Sequence, residues 1–512
     1  MLVKIDFLAL NNEKIFSYGA NKRRLAVMSG EQMIQSSATS RENKQMEQAL
    51  GKIGVTGAHK QILLLVLIGC LFDSFEQNTI GLVAPILREQ WGLTGTDIGF
   101  LNTITFASAA AGRLLSGILG DRYGRRVMLS INLLLFTIGS ALCALAPGFA
   151  WLCFARAIVG FGVGGEISTA VTMLSEFCSP KFRGTAAGLV NVGAGGFGNF
   201  LAPAFGLLVF TMFPGDDNWR WLFGVLAIPA FLVVFFRRYI PETPRFLASQ
   251  GRIAEANRSL SILASGSLRP KNLKVTEYLS ASQDDDGAAQ AKKSNWRELF
   301  QPPFIGRTIP VAIAILMSYG AQLSVLTLMP MIFISMGYTL SGSLLYSMII
   351  QSGSVLGAIA ASAFGYYFPR KKVLTIGAVC ACAAALLIVY LGTSLYLVLF
   401  FGAVFQFFVL LLNTSIWIYA PELYPTRIRG FGVALILASG SAAGSFVPTI
   451  AGALFDGFGM IGVFGLAASM YAVFAFCIQL GPETYGRNME DITQPADVES
   501  ALTKLKITEE KA

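Results

Sequence analysis

The sequence predicts an all-α membrane protein of twelve transmembrane helices in two pseudo-symmetric six-helix bundles, and three observations predict it. Of the 512 residues, 54% are hydrophobic and only 13% charged, whereas a soluble domain is about one-quarter charged. From Gln61 onward twelve apolar runs approach the ~20 residues needed to cross hydrocarbon. They fall at 61–87, 97–120, 127–146, 150–173, 185–212, 220–240, 306–335, 342–367, 372–391, 394–420, 431–455 and 459–480. The third observation is an internal repeat. SEFCSPKFRG places Glu176 seven residues before Arg183, and PELYPTRIRG places Glu422 seven before Arg429, an offset of 246 for both members. PETPR at Pro241 returns as PETYGR at Pro482, and GILGDRYGRR from Gly117 has a degraded counterpart in GYYFPRKK from Gly365. Motifs recurring in order at nearly one period indicate two related halves.

In chain order, residues 1–60 are polar, lack a signal-peptide core and read as a disordered cytoplasmic tail. The internal methionines Met28, Met33 and Met46 leave open a later translation start. Residues 61–240 form the first bundle and 306–480 the second. Between them, 241–305 is a cytoplasmic linker with an amphipathic piece near Gly251–Leu263, an acidic run at Asp284–Asp286 and the pair Lys292–Lys293. Residues 481–512 form a C-terminal tail. The short-loop cations fall on one side, at Arg122, Arg125, Arg126, Lys181, Arg183, Arg370, Lys371, Lys372, Arg427 and Arg429, while loops 147–149, 392–394 and 456–458 carry none. By the positive-inside rule both termini are cytoplasmic, and the cell (inner) membrane is the expected location.

Composition also excludes. The formal charge of +9 lies between apolar runs, where topology explains it without a nucleic-acid partner. Seven cysteines sit mostly within or beside apolar spans and lack zinc-type spacing. His59 is the only histidine and falls in the polar leader, so neither a histidine metal site nor a serine–histidine triad can be assembled. No enzymatic activity, cofactor or metal is expected.

The first span carries two carboxylates, Asp73 and Glu76, near its centre. An intramembrane charge costs ~2.5–3.5 kcal/mol on insertion scales and usually marks an ion or substrate path. Three residues apart, the two share a helix face and repel if both are ionised, so one is expected to hold a proton at neutral pH. The plain alternative is a neighbouring arginine that neutralises each. Span two offers Arg113, and span four offers Arg156 and Glu166 within RAIVGFGVGGE. The latter imitates a nucleotide loop, but no βαβ context precedes it. Its glycines suit close helix packing.

GILGDRYGRR resembles the loop signature of the major facilitator superfamily, met here by Gly117, Asp121, Arg122, Gly124, Arg125 and Arg126. RAIVGFGVGGE is similar to that superfamily's arginine–glycine pattern in span four. The resemblance covers about 60–492 and implies the major facilitator fold, with a charge-paired cytoplasmic gate made by the loop signature, Glu176 with Arg183 and Glu422 with Arg429. The second copy lacks the Asp, so no equivalent charge latch is expected there. DSFEQNTIGLVAP resembles the first-span signature of aromatic acid:proton symporters, with Ser74 where that family has Gly and Glu76 where it has Asp. PETPRFL, YAPELYPTRIRG and GPETYGRNMEDI are similar to motifs of sugar porters and of nicotinate or organic-ion transporters.

These resemblances imply a secondary transporter, acting as a monomer, that couples protons to a small organic acid by alternating access, with an aromatic acid as the narrower expectation. Asp73, Glu76 and Glu166 are the proton-coupling candidates. Arg113 and Arg156 are candidate substrate ligands because a buried carboxylate needs a cation. Gln322, Gln351, Gln406, Asn413 and Trp417, polar or aromatic within apolar helices, complete the candidate cavity. Sugar porters pair two glutamines in span seven, whereas here Gln322 stands beside Leu323. The alternatives are a sugar, polyol or nicotinate-like porter and, from another class, a membrane sensor that binds without translocating.

Overall fold

The computed structural model describes residues 45–228, 239–280 and 296–484, apart from 303, 393 and 425–427. The described residues form helices and no strands, as expected where backbone polar groups must be satisfied within each spanning segment. Span one, Gly57–Trp91, has 35 residues, roughly 52 Å at 1.5 Å per residue. It therefore extends beyond a ~30 Å hydrocarbon core. Gly92, at φ 66°, ends it in the left-handed conformation, and span two, Gly95–Tyr123, starts at once from the Thr94–Asp97 capping box. So short a turn forces the two helices antiparallel.

Spans three to five are Arg125–Ala144, Phe149–Phe177 and a composite of Pro180–Asn191, a π-helical segment Val192–Gly198 and Asn199–Met212. Span six is described through Asn218–Leu226, and its remainder within 229–238 lies outside the described residues. Spans seven to ten are Ile305–Ser335, Leu340–Tyr367, Arg370–Leu391 and Leu395–Glu422. Span eleven, from Arg429, breaks after Gly444 and resumes at Val447. A non-helical Gly459 (φ 61°) then folds the chain back into span twelve, which ends at Gln479.

Within the first half, span four packs on spans two and three; within the second, span ten packs on eight and nine, and span twelve on seven and nine. The halves meet chiefly through span two against eleven, five against eight, and one against seven. Glycines set the closest approaches in span four. A Cβ on Gly164 would stand 2.6 Å from Ala109 Cα, and one on Gly162 would stand 2.9 Å from Phe136 Cα. The glycine run is thus a packing stripe that brings Arg156 and Glu166 against spans one and two.

The tail expectation needs correction. Residues 1–44 lie outside the described residues, but 45–53 are helical, and Met46, Ala49 and Leu50 are buried. His59 belongs to the first turn of span one rather than to a polar leader. Its ring is buried between Thr56 and the Phe177 carbonyl, with Nε2 at 3.1 Å from that oxygen. The amphipathic stretch of the linker forms the helix Ile253–Ala264, preceded by Pro244–Ser249. Asp284–Asp286, Lys292–Lys293 and the tail from 485 lie outside the described residues.

Candidate functional site

The charges at the membrane middle sort into two groups. The Arg156 guanidinium, fully buried, donates from Nη1 to Glu76 Oε1 and from Nε to Thr105 Oγ1 at 3.0 Å. Ser140 adds a longer bond to Glu76 Oε2 at 3.4 Å. Glu76 is therefore neutralised by span four, which corrects the expectation that it repels Asp73. A buried pair of this kind adds little net stability, yet removing one partner leaves an expensive lone charge.

Asp73 turns elsewhere. Its carboxyl lies beside that of Glu166, within electrostatic reach of Arg113. No donor among the described residues reaches either Asp73 oxygen or Glu166 Oε2, although both side chains are 1% exposed. Buried acceptors without donors are uncommon, and two adjacent carboxyls in a dry site cannot both be charged without large repulsion. Ser74, the residue departing from the aromatic-acid signature, donates to the Ala194 carbonyl at 2.9 Å within the π-helical segment. Asn78 joins the same segment's end through Asn199 Oδ1 at 3.0 Å. The Ser74 hydroxyl thus ties span one to the irregular turn of span five. π-Bulges of this sort recur at functional positions.

Arg113 bridges the halves. Its Nη1 donates to Ser441 of span eleven, and its Nε has no acceptor among the described residues. Next to Ser441, Gly440 leaves room for the Tyr319 ring, which a Cβ would meet at 3.2 Å. Trp417 Nε1 donates to Tyr319 Oη at 3.2 Å. Deeper in the second half, Ser318 donates to Asn413 Oδ1 at 2.7 Å, and Asn413 donates to Gln322 Oε1 at 2.5 Å. Gln351 instead accepts from Ser354 of its own helix at 2.7 Å, and Gln406 Oε1 is buried without a donor among the described residues. The structure thus gathers Gln322, Asn413 and Trp417, with no hydrogen bond tying Gln351 or Gln406 to them among the described residues. Tyr319, Ser318 and Ser441 were not legible beforehand, because hydroxyls in apolar helices are common and bear no charge to mark them.

At the basic end, each half closes its own cluster. Arg125 pairs with Asp121 at 2.7 Å and Glu176 at 3.0 Å, and Thr243 Oγ1 donates to Glu176 Oε2 at 2.5 Å. Glu242 accepts the backbone N–H groups of Arg125, Arg126 and Thr243 at 3.0, 3.2 and 3.1 Å. Burial pushes the Glu242 carboxyl above its usual range, against those three N–H bonds, while the Glu176 charge pushes the same way. Gly124 precedes at φ 99°, where a Cβ would run into that carboxylate and stand 3.1 Å from the Phe246 ring, so the motif's glycine is a spatial requirement. Gly117 meets nothing that a Cβ would touch, and Arg122 lies over the Tyr123 ring at 5.4 Å.

The second half does have a counterpart, which corrects the expectation that it lacks a charge latch. Arg370 pairs with Glu422 at 3.2 Å, and Glu483 accepts the N–H groups of Arg370, Lys371 and Thr484 at 3.0, 3.1 and 3.0 Å. No counterpart of the Asp121 carboxylate stands in the sequence there. The recurrence of PET in both halves was the available signal, since Glu242 and Glu483 are its central residues. The side chains of Arg183 and Arg429 lie outside the described residues.

Such a pair of repeated helical bundles, charged at the midplane on one side and latched at the basic ends, defines a secondary transporter rather than an enzyme. The chain matches the Sugar (and other) transporter family over residues 26–495 and belongs to it, within the major facilitator superfamily. It is 28% identical over 437 residues to a niacin transporter of Acinetobacter baylyi, covering 85% of this chain and 96% of that protein. It is 27% identical over 453 residues to a glucose transporter of Staphylococcus epidermidis, covering 84% and 96%. In fold it is similar to the xylose transporter of E. coli in a partially occluded inward-open conformation, with a TM-score of 0.66, 19% identity, and coverage of 84% of this chain and 99% of that one. The protein is a multi-pass integral membrane transporter.

Proposed function

We propose that the protein is a proton-coupled symporter of a small organic acid, in which Asp73 and Glu166 carry the proton and Arg113 holds the substrate carboxylate. The observation that carries this reading is the buried Asp73–Glu166 pair, in which both Asp73 oxygens and Glu166 Oε2 have no donor among the described residues and Arg113 lies within electrostatic reach of Asp73. With one proton shared, the acid pair holds one negative charge, which balances Arg113. A second proton neutralises the pair and leaves Arg113 uncompensated, so a substrate carboxylate becomes the favourable counter-ion. Proton and anion then bind cooperatively, which is the thermodynamic requirement for symport. We take Arg113 before Arg156 as the ligand because Arg156 already pairs with Glu76 through Nη1, although its Nη2 has no acceptor among the described residues.

The relative named for niacin transport supports a carboxylate as cargo, since niacin is an aromatic acid. Tyr319 and Trp417 would supply the flat apolar wall that such a ring needs. The sugar reading has one observation in its favour, the Ser318–Asn413–Gln322 chain, but its Asn413 oxygen and Gln322 oxygen already accept within the chain, leaving fewer groups to meet several sugar hydroxyls. We place both termini on the cytoplasmic side of the inner membrane, from the loop charges, and take the monomer as the working unit.

The test is direct binding of benzoate-like acids, their uncharged amides and neutral hexoses to wild type and Arg113→Lys. The acid is expected to bind at least tenfold more tightly than its amide, and Arg113→Lys to lose most of that difference because ammonium lacks the planar fork. Equal binding of acid and amide, or of hexose alone, overturns the organic-acid reading.

A further inference from the structure

We propose that Asp456 of the second half is the latch that holds the two halves shut at the end opposite the basic loops, acting as an N-cap supplied to span two from across the interface. The first N–H groups of a helix have no partner inside it. Here Gly95 N donates to Asp456 Oδ1 at 2.8 Å, and Thr96 N and Thr96 Oγ1 donate to Asp456 Oδ2, both at 2.9 Å. Span two's own cap, Thr94, is engaged one step further in, accepting from Asp97 N at 3.1 Å. Two of the orphan donors of a first-half helix are therefore satisfied by the second half. A carboxylate in that place also meets the positive end of the helix dipole.

The surfaces beneath the carboxylate are shaped for close approach. A Cβ on Gly452, one turn before Asp456, would stand 2.9 Å from Thr96 N, and a Cβ on Gly99 would stand 2.7 Å from Thr449 Cα. Further along the same seam, the Thr103 and Thr449 hydroxyls meet at 2.7 Å. The Arg88 guanidinium lies 5.7 Å from the centroid of the Phe455 ring. Asp456 is also the one charged residue in the sequence between Gly430 and Leu480. Opening at this end must break three hydrogen bonds to a single side chain and separate a glycine-lined seam, so the latch sets how often the site opens there.

The test is the labelling rate of a single cysteine at position 449, in an otherwise cysteine-free protein purified in detergent. Asp456→Ala should raise that rate about five- to tenfold, the range expected for losing an N-cap carboxylate. Asp456→Asn, which keeps an accepting oxygen but loses the charge, should give a smaller rise. Thr96→Val, which removes one arm, should give the smallest. Unchanged labelling in Asp456→Ala with an unchanged melting temperature overturns the latch, and so does unchanged labelling in Asp456→Asn if the alanine variant fails to fold. The measurement needs neither substrate nor membrane sidedness, so it stands apart from the organic-acid reading.

Discussion

The two halves of the molecule agree at their basic ends and disagree at the membrane middle. At the basic end each half pairs an arginine from the start of span three or nine with a glutamate from the end of span four or ten. Each then adds the glutamate of a PET motif beneath the helix N-terminus. At the middle the first half holds Asp73, Glu76, Arg113, Arg156 and Glu166, while the second presents Ser318, Tyr319, Gln322, Asn413 and Trp417, none of them charged at neutral pH. The difference separates two duties. Closing and opening require both halves to hold their shape, so the latch is duplicated. Under the proposed proton coupling, one acid pair and one counter-ion suffice, which fits charges that sit in a single half. Neutral groups opposite them can contact cargo without altering the charge balance.

This division breaks most readily at Glu76. Glu76→Gln leaves Arg156 buried without its counter-ion, and such single removals destabilise by about 3–5 kcal/mol. A large drop in melting temperature and abundance is expected. Replacing both members by apolar residues, Glu76→Leu with Arg156→Met, should recover much of the loss. If Glu76→Gln is as stable as wild type, the pair is not the structural element described here. If Gln351→Leu in the second half is equally damaging, the asymmetry between the halves is lost.

Next in size is the effect at Asp73. Asp73→Asn keeps the shape of the acid pair but leaves Glu166 as its single titrating carboxyl, without the neighbour that shares its proton. Accumulation driven by a pH gradient should fall by about 100-fold, in line with the loss of one positioned proton carrier, while substrate counterflow persists. Full pH-driven accumulation in this variant would remove Asp73 from the pair's role and leave Glu166 as its carrier.

The fold was legible in the sequence because a bilayer makes length and apolarity decisive, and because the repeat can be read from Glu176 with Glu422 and from the two PET motifs. The site was legible only in part. Charges inside apolar helices are conspicuous, so Asp73, Glu76, Arg113, Arg156 and Glu166 could be named in advance. Their partners could not, because Asp73 and Glu76 share a face in a helical projection but turn toward different neighbours. That choice depends on how the span-four glycines seat their helix against span two. Tyr319 was hidden for another reason, since its position depends on the absent side chain of Gly440 on a different span.

The latches differ in a way that mutation can measure. Arg125 serves Asp121, Glu176 and the Gly120 carbonyl, the last at 2.6 Å, whereas Arg370 meets the two oxygens of Glu422 at 3.3 and 3.2 Å. Lysine cannot reproduce a forked contact. Arg125→Lys is therefore expected to cost about 1–2 kcal/mol, with Arg370→Lys measured beside it. Asp121 is 75% exposed, so Asp121→Asn alone should change little. Equal melting shifts for the two lysine variants would make the halves alike at this end in energy as well as in form.

The smallest effect sharpens the comparison through pH. Burial raises the Glu242 carboxyl above a glutamate's ordinary 4.5, so the native state binds that proton more tightly than the unfolded chain does. The resulting stability is fully present below the ordinary value and is lost as pH rises through the raised one. Glu242→Gln removes the titration but keeps an oxygen to accept the N–H groups of Arg125, Arg126 and Thr243. Relative to this variant, the melting temperature of wild type in detergent should therefore fall as pH is raised upward from 4.5, by no more than about 2–4 °C. A wild-type advantage that grows with pH would show that the N–H bonds outweigh burial, making Glu242 a charged cap throughout.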